Sequence, residues 1–351
     1  DGALQLFADD CHWRDFVSFT WNLKTLAGKE EVGAMLRACL KQVQPSGWGL
    51  PDGEVASSAD GVTEGFIRFE TAVGRGEGYI KLRDDKIWIL LTKLIELKGH
   101  EEPRGSRRPL GALHGTHLGD ATWLEQREKD RSELGVTTQP YVLIVGGAQA
   151  GIILGARLKQ LGVPTLIVEK HAKPGDNWRS RYKSLCLHDP VWYDHLPYIK
   201  FPEHWPVFSP KDKIADWLDM YAKVMELDYW GHTEATRATY DEGSGRWTVT
   251  VVRDGQQITL QPQQLVLATG MSGKPNRPSF PGQDKFKGVQ QHSSEHPGPD
   301  GLKGKKVVVI GSNNSAHDIC GALAENGVDV TMVQRSSTHI SRSESLMKHA
   351  L

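Results

Sequence analysis

Paired cysteines, charge of one sign and a long apolar run are all missing from this 351-residue chain, and each absence removes a class of protein. The four cysteines, Cys11, Cys39, Cys186 and Cys320, form no CxxC pair. That spacing speaks against a zinc knuckle, a disulfide scaffold and a redox dithiol, and it points to a reducing, cytoplasmic setting. Lys and Arg number 42 against 43 Asp and Glu. No basic stripe is available to neutralise phosphates, so nucleic acid is not an expected partner. The apolar stretch Tyr141–Ala156 carries four glycines. It is shorter than the ~20 residues needed to cross a bilayer, so no integral membrane segment is expected.

What is present suits an ordinary globular protein, with 38% hydrophobic and 24% charged residues. The length fits two or three domains of roughly 100–200 residues. Residues 1–99 read as a small α+β unit. Lys29–Val43 spaces Val32, Met35, Leu36, Cys39 and Leu40 along one helical face. Cys11–Leu23, rich in aromatics, reads as a strand, as do Gly65–Thr71, Gly78–Leu82 and Ile87–Leu97, the last two joined by a turn at Arg83–Lys86. Residues 100–138 lose this periodicity in glycine, proline and arginine and then form a short charged helix, Trp123–Leu134. This stretch reads as a linker.

From Tyr141 the pattern becomes strand, glycine turn, helix, strand. Tyr141–Val145 is apolar and runs into Gly146-Gly147-Ala148-Gln149-Ala150-Gly151, a helix follows, and Thr165–Val168 is a second apolar strand ending in Glu169. Gly146 permits the tight turn, and Gly151 lets the helix pack on the strand. The helix N-terminus offers free N–H groups to a pyrophosphate. Glu169, 23 residues after Gly146, stands where an acid binds a ribose hydroxyl. Ala148 replaces the middle glycine of this pattern, a modest intrusion of one methyl. Gln149 in the turn and Lys170 beside Glu169 complete the candidate contacts.

The pattern repeats at Lys305–Ile310, Gly311-Ser312-Asn313-Asn314-Ser315-Ala316, a helix to about Asn326, and Val328–Val333. Here the strand end carries Arg335 and Ser336, 24 residues after Gly311. A guanidinium beside a hydroxyl accepts a 2′-phosphate, so NADPH is expected over NADH. A solvated strand-end charge is the plainer reading of Arg335, and its position relative to Gly311 outweighs it. Two dinucleotide folds, one acidic and one basic at the ribose position, imply a flavin facing a nicotinamide. Gln264–Ala268, closing in Thr269-Gly270, would lead from one to the other.

These residues resemble the flavin-containing monooxygenases, in particular the YUCCA-like branch. The matches are the first turn with Glu169, Gly175-Asp176-Asn177-Trp178 with Arg181-Tyr182, Ala268-Thr269-Gly270, Phe286, Gly288 and His292 of the family signature, and the second turn with Arg335. His296 stands where that signature ends in a larger aromatic, which leaves heteroatom and carbonyl oxygenation both open. The resemblance implies an α/β protein with an FAD-binding domain over 139–274 and an NADPH-binding domain over 275–351. Both domains are Rossmann-like, and a small α+β NTF2-like or SnoaL-like cone domain precedes them. It also implies Trp178 and Arg181 near the flavin and His292 among the cofactor contacts. His188, as the catalytic polar residue beside the flavin ring, would bond a flavin hydroperoxide or the nicotinamide amide.

The implied activity is FAD- and NADPH-dependent insertion of one oxygen atom from O2 into a small organic substrate through a peroxyflavin. The alternatives are an NADPH-dependent flavin reductase and a non-catalytic flavoprotein scaffold, with the N-terminal unit as the surface for a homodimer. His292 and His296 beside Glu295 have metal-ligand spacing, but no third ligand cluster accompanies them and no metal is expected. Both ends of the chain are expected to be cut. It opens on Asp1, and the family's NADPH domain runs on past Leu351.

Overall fold

Burial along the first strand shows how the N-terminal unit is built. In β1 (Phe7–Phe16) the buried positions are Phe7, Cys11, Trp13 and Asp15, one face of a pleated strand. The computed structural model describes residues 2–111, 119, 121–271 and 273–350. Within it the chain forms two compact units, Asp1–Ala112 and Leu113–Leu351. The division falls in the stretch read as a linker, whose residues 112–118 and 120 lie outside the described residues.

The strand expected over Cys11–Leu23 ends instead at Phe16. Val17 and Trp21 take left-handed backbone (φ +55° and +54°), and the chain returns as β2 (Leu23–Ala27), antiparallel to β1. The cause is Asp15, whose buried carboxylate accepts the N–H groups of Ser18, Phe19 and Thr20 and the hydroxyls of Ser18, Thr20 and Thr92. Six donors on one carboxylate fold the chain back where β-propensity alone would extend it. Helix α1 (Gly28–Val43) buries Val32, Met35, Leu36 and Val43 against Phe7, Trp13 and Phe69, while Leu40, expected on that face, is 39% exposed. The remaining strands are β3 (Ser46–Gly49), β4 (Ser57–Ala59), β5 (Val62–Glu70), β6 (Gly74–Arg83) and β7 (Lys86–Leu97). They continue the sheet in the order β2-β1-β7-β6-β5-β3, with β4 also on β5, and only β1–β7 pairs parallel. Asp84 and Asp85 close the β6–β7 hairpin with φ +51° and +58°, the two positive values of a type I′ turn.

The second unit opens with α2 (Trp123–Glu133), capped by Thr122 and Glu125. Then follow β8 (Val142–Val145), α3 (Gln149–Gln160), β9 (Thr165–Val168), α4 (Asp176–Arg179), α5 (Lys211–Val224) and β10 (Tyr229–Trp230). Next come β11 (Thr233–Asp241), β12 (Arg246–Arg253), β13 (Gln256–Leu260) and β14 (Gln264–Leu267). A parallel sheet runs β10-β9-β8-β14, and β11–β13 form a separate antiparallel sheet. Alternation splits the parallel strands between two cores. Val142, Ile144 and Ile167 pack with Ile152, Ala156, Ile214 and Leu218 of α3 and α5, while Leu143, Leu166 and Val168 pack with Val249, Val251 and Leu260 of the antiparallel sheet. Each fully buried aliphatic side chain contributes about 1.5–3 kcal/mol. Helix α5 and strands β11–β13 stand where sequence reading named no element.

The second Rossmann-like segment is β15 (Lys306–Ile310), α6 (Asn314–Glu325) and β16 (Asp329–Val333), a parallel pair with its helix, followed by α7 (Ser343–Ala350). Ile319, Leu323 and Val328 share a core with Tyr182 and Leu185, so the segment after α4 and helix α6 pack together. No described helix is long and apolar enough to cross a membrane.

Candidate functional site

The first glycine turn is built backbone against backbone. Gly146, at φ +110°, follows β8, and its N–H donates to Val168 O at 2.9 Å. A Cβ at Gly146 would lie 2.3 Å from Ala268 O, and one at Gly151 only 1.9 Å from Gly146 O. Neither oxygen can move without breaking the sheet or the turn, so both positions require glycine. The end of β14, leading to the exposed Thr269 and Gly270, is thereby brought onto the turn. Helix α3 starts at an extended Ala148 (φ −86°) with no side-chain cap. The N–H groups of Gln149, Ala150 and Gly151 therefore have no acceptor within the helix, and the positive end of its dipole points outward.

Glu169, at the end of β9, accepts Gly147 N–H at 2.8 Å and His171 N–H at 3.0 Å. A carboxylate has about four acceptor sites, so two backbone bonds orient this one and leave capacity for a hydroxyl. Lys170 beside it is exposed. Sequence reading missed Tyr229, whose ring lies against Gly147: a Cβ there would be 2.4 Å from it. Its hydroxyl reaches Gly147 O at 3.4 Å, and burial, with Glu169 nearby, raises its pKa above the ordinary phenol value. Nothing local in the sequence announces this wedge, since the contact joins residues on β10 and the β8–α3 turn. Trp178 packs at the edge of two cores, and its buried Nε1 has no hydrogen-bond partner. Arg181 is half-buried, its N–H on Trp178 O at 3.0 Å.

The second turn differs in its polar chemistry. Gly311 has φ +132° and donates to Val333 O at 3.0 Å, joining the turn to the end of β16. Asn313 caps α6 with extended backbone (φ −90°), so the left-handed tolerance of asparagine plays no part here. Its Oδ1 accepts Asn314 N–H at 3.2 Å, and its main-chain oxygen takes Ala316 N–H at 2.8 Å. Among the first-turn donors, only Ser315 N–H is left without an acceptor in the turn or helix. Where α3 presents three open N–H groups, α6 presents one. Arg335 and Ser336 follow β16, both exposed, with no partner for the Arg335 guanidinium among the described residues. Thr338 donates to Ser312 O at 2.8 Å and draws this strand end onto the turn.

His188 is held at the second turn. Its Nδ1 is 3.1 Å from Asn314 Nδ2 and its Nε2 is 2.8 Å from Asp318 Oδ2. His292 is engaged locally: its Nδ1 accepts Ser294 N–H at 3.2 Å and caps the short turn Ser293–Glu295. His296 is buried, its Nε2 has no partner, and burial lowers its pKa. Among the described residues no group of three or more His, Cys, Asp or Glu is placed to hold a metal ion.

The family described as Pyridine nucleotide-disulphide oxidoreductase matches residues 143–350. Indole-3-pyruvate monooxygenase YUCCA1 of Oryza sativa subsp. japonica is 33% identical over 213 residues, covering 60% of this chain and 52% of that protein. Probable indole-3-pyruvate monooxygenase YUCCA9 of Arabidopsis thaliana is 32% identical over 200 residues, covering 56% and 48%. A solved flavin-containing monooxygenase from Stenotrophomonas maltophilia superposes with a TM-score of 0.51 at 25% identity, covering 56% of this chain and 58% of that one. The chain thus spans about half the length of the curated relatives it matches.

Proposed function

The chain belongs to the pyridine nucleotide-disulphide oxidoreductase family, and from that premise we propose that it is an FAD- and NADPH-dependent monooxygenase module acting on a small organic substrate with O2. One observation carries the reading: two glycine turns lie in one unit, one ending its second strand in a carboxylate, the other in a guanidinium. The first cradle fits a dinucleotide on three counts. Its glycines leave no room for a Cβ, its helix start is uncapped, and Trp178 Nε1 is buried without a partner.

In this reading the first domain, 139–274, holds FAD, with the α3 N-terminus on the pyrophosphate and Glu169 on a ribose hydroxyl. Trp178, Arg181, Lys170, Thr269 and Gly270 are further contacts. The second domain, 275–351, holds NADPH at Gly311, Asn313–Ala316, Arg335 and Ser336. His188, bonded to Asn314 and Asp318, lies where the two meet, and we assign His292 to the cofactor contacts on the family signature it completes with Phe286 and Gly288. Bound FAD would take electrons from NADPH and pass one oxygen atom of O2 to the substrate. The protein's own part is to orient the two cofactors and exclude water. The monooxygenase names of the relatives support this assignment. Residues 1–99 we read as an NTF2-like cone and dimerisation surface, supported by one long helix packed on a seven-stranded sheet. Four free thiols support a cytoplasmic setting.

The test is a purified yellow protein whose flavin spectrum bleaches with NADPH and whose turnover incorporates label from ¹⁸O2 into product. Reduction followed by release of all the oxygen as peroxide, with no labelled product, would leave a reductase and remove the oxygenase reading.

Two cofactor predictions follow from the turns. Arg335→Ala is expected to weaken NADPH about ten- to a hundredfold, because a charge-assisted phosphate contact is worth ~1.5–3 kcal/mol, and to leave NADH unchanged. Equal losses for both nucleotides would remove Arg335 from the 2′-phosphate. Asn313→Gly is expected to free Asn314 N–H and strengthen NADPH. Ala148→Gly should change FAD affinity less, since the α3 donors are already open. If Asn313→Gly weakens NADPH in a direct titration, the amide is a ligand and the open-donor argument fails.

A further inference from the structure

Three side chains meet one carboxylate oxygen or its nearest neighbour where the two nucleotide-binding segments touch. Tyr182 hydroxyl donates to Asp318 Oδ2 at 2.7 Å, and His188 Nε2 is 2.8 Å from the same oxygen. Asn314 Nδ2 is 3.1 Å from His188 Nδ1. Asn314 and Asp318 are four residues apart on α6, so both project from one face of the helix that begins at the second glycine turn. Tyr182 is 4% exposed and anchored beside Leu185, Ile319 and Leu323. The network therefore has a rigid base in the core and an exposed rim at His188.

The chemistry of the partners sets the state of the ring. An ionised carboxylate only accepts, so Nε2 must carry a proton. In a neutral imidazole Nδ1 is then a lone pair, which requires the donor side of the Asn314 amide. With the Asn314 Nδ2 toward the ring, every hydrogen bond is satisfied in this arrangement; an imidazolium would need the amide turned to present Oδ1. In the opposite tautomer a lone pair would face the carboxylate and an N–H would face the amide NH2.

We propose that Asp318 is a positioning residue that holds His188 as the Nε2–H tautomer and, through it, sets the Asn314 amide at the nicotinamide-nucleotide turn. The role of the turn rests on the dinucleotide reading above; the tautomer does not. Without the carboxylate, His188 Nε2–H loses the acceptor that fixes the ring, and the Asn314 amide loses the oriented Nδ1 that it donates to. The FAD cradle, which shares none of these side chains, is untouched.

Two readouts test this on the whole chain. Histidine ring ¹H–¹⁵N correlation should show His188 protonated at Nε2 alone in the parent protein. Asp318→Ala should give mixed tautomers and weaken NADPH about tenfold, the size expected for losing a charged hydrogen bond, with FAD affinity unchanged. Asp318→Asn keeps a carbonyl acceptor and should restore both the Nε2–H signal and the NADPH affinity. A parent ring protonated at Nδ1 or at both nitrogens overturns the proposal, as does an Asp318→Ala protein with parental tautomer and affinity. If Asp318→Ala does not fold, failure of Asp318→Asn to keep the Nε2–H form overturns it. Absence of NADPH binding by the parent protein would instead overturn the dinucleotide reading, while the ring spectra still decide the role of Asp318.

Discussion

Gly151→Ala is expected to lower FAD affinity by about a hundredfold and to cut thermal stability, since overpacking costs roughly 1–3 kcal/mol and each 1.4 kcal/mol is tenfold. The added methyl would lie 1.9 Å from Gly146 O and 3.3 Å from Ile144 Cγ2. Both belong to elements that cannot yield: Gly146 is locked by its own contact with Ala268, and Ile144 is fully buried in β8. Helix α3 must therefore lift off the strand, carrying its open N–H groups with it. Gly321 makes the comparison sharp. It lies in α6 with nothing within 4 Å of its would-be Cβ, so Gly321→Ala should add about 0.4–1 kcal/mol of stability by restricting the unfolded chain. Thermal unfolding and flavin-fluorescence titration of the two variants should move in opposite directions on stability, and only Gly151→Ala should lose FAD. Parental flavin affinity in Gly151→Ala would mean the turn does not cradle a pyrophosphate.

Asp15→Ala is expected to destabilise the N-terminal unit by about 3 kcal/mol or more, because several buried donors lose their acceptor together. Ser18, Phe19, Thr20 and Thr92 all donate to this fully buried carboxylate. Thr92 hydroxyl also accepts Trp13 Nε1–H at 2.9 Å, so the loss reaches the aromatic core. Burial by itself would push the Asp15 pKa up, but the hydrogen bonds from Ser18, Thr20 and Thr92 outweigh it and hold the group below its ordinary value. The sign follows. A carboxylate whose folded pKa is depressed stabilises fully above its unfolded value of about 3.9 and loses that contribution as pH falls through the folded one. Denaturant unfolding of the parent should therefore weaken below about pH 4, and this part of the acid sensitivity should vanish in Asp15→Ala. An unchanged midpoint in Asp15→Ala at pH 7 would remove the carboxylate as the organiser of the 17–22 turn.

Local chemistry was legible in the residues themselves. Strand, glycine turn, helix and second strand follow one another within about 25 residues at Gly146 and again at Gly311, and such neighbours interact whatever the rest of the chain does. The same holds for α1, whose 3.6-residue spacing names its buried face, and for the β6–β7 hairpin. The antiparallel sheet carried a signal, the alternation of Val249 and Val251, that sequence reading passed over.

What depends on distant partners was decided only by the tertiary structure. The aromatic run Trp13 to Trp21 has strand propensity throughout, yet it breaks after Phe16, where Asp15 gathers the donors of Ser18, Phe19 and Thr20 and is itself held in the core by Thr92, 77 residues away. Tyr229 reaches the first turn across 82 residues, and His188 finds Asp318 across 130. Asn313 invites a left-handed backbone on its own, but as the cap of α6 it is extended. The residue types and spacings determined that two glycine turns of the dinucleotide-binding pattern exist, the candidate cradles, and which strand ends carry their charges. Packing determined which donors in those cradles remain open, because an N–H group is free or satisfied according to what the folded chain brings within hydrogen-bond reach.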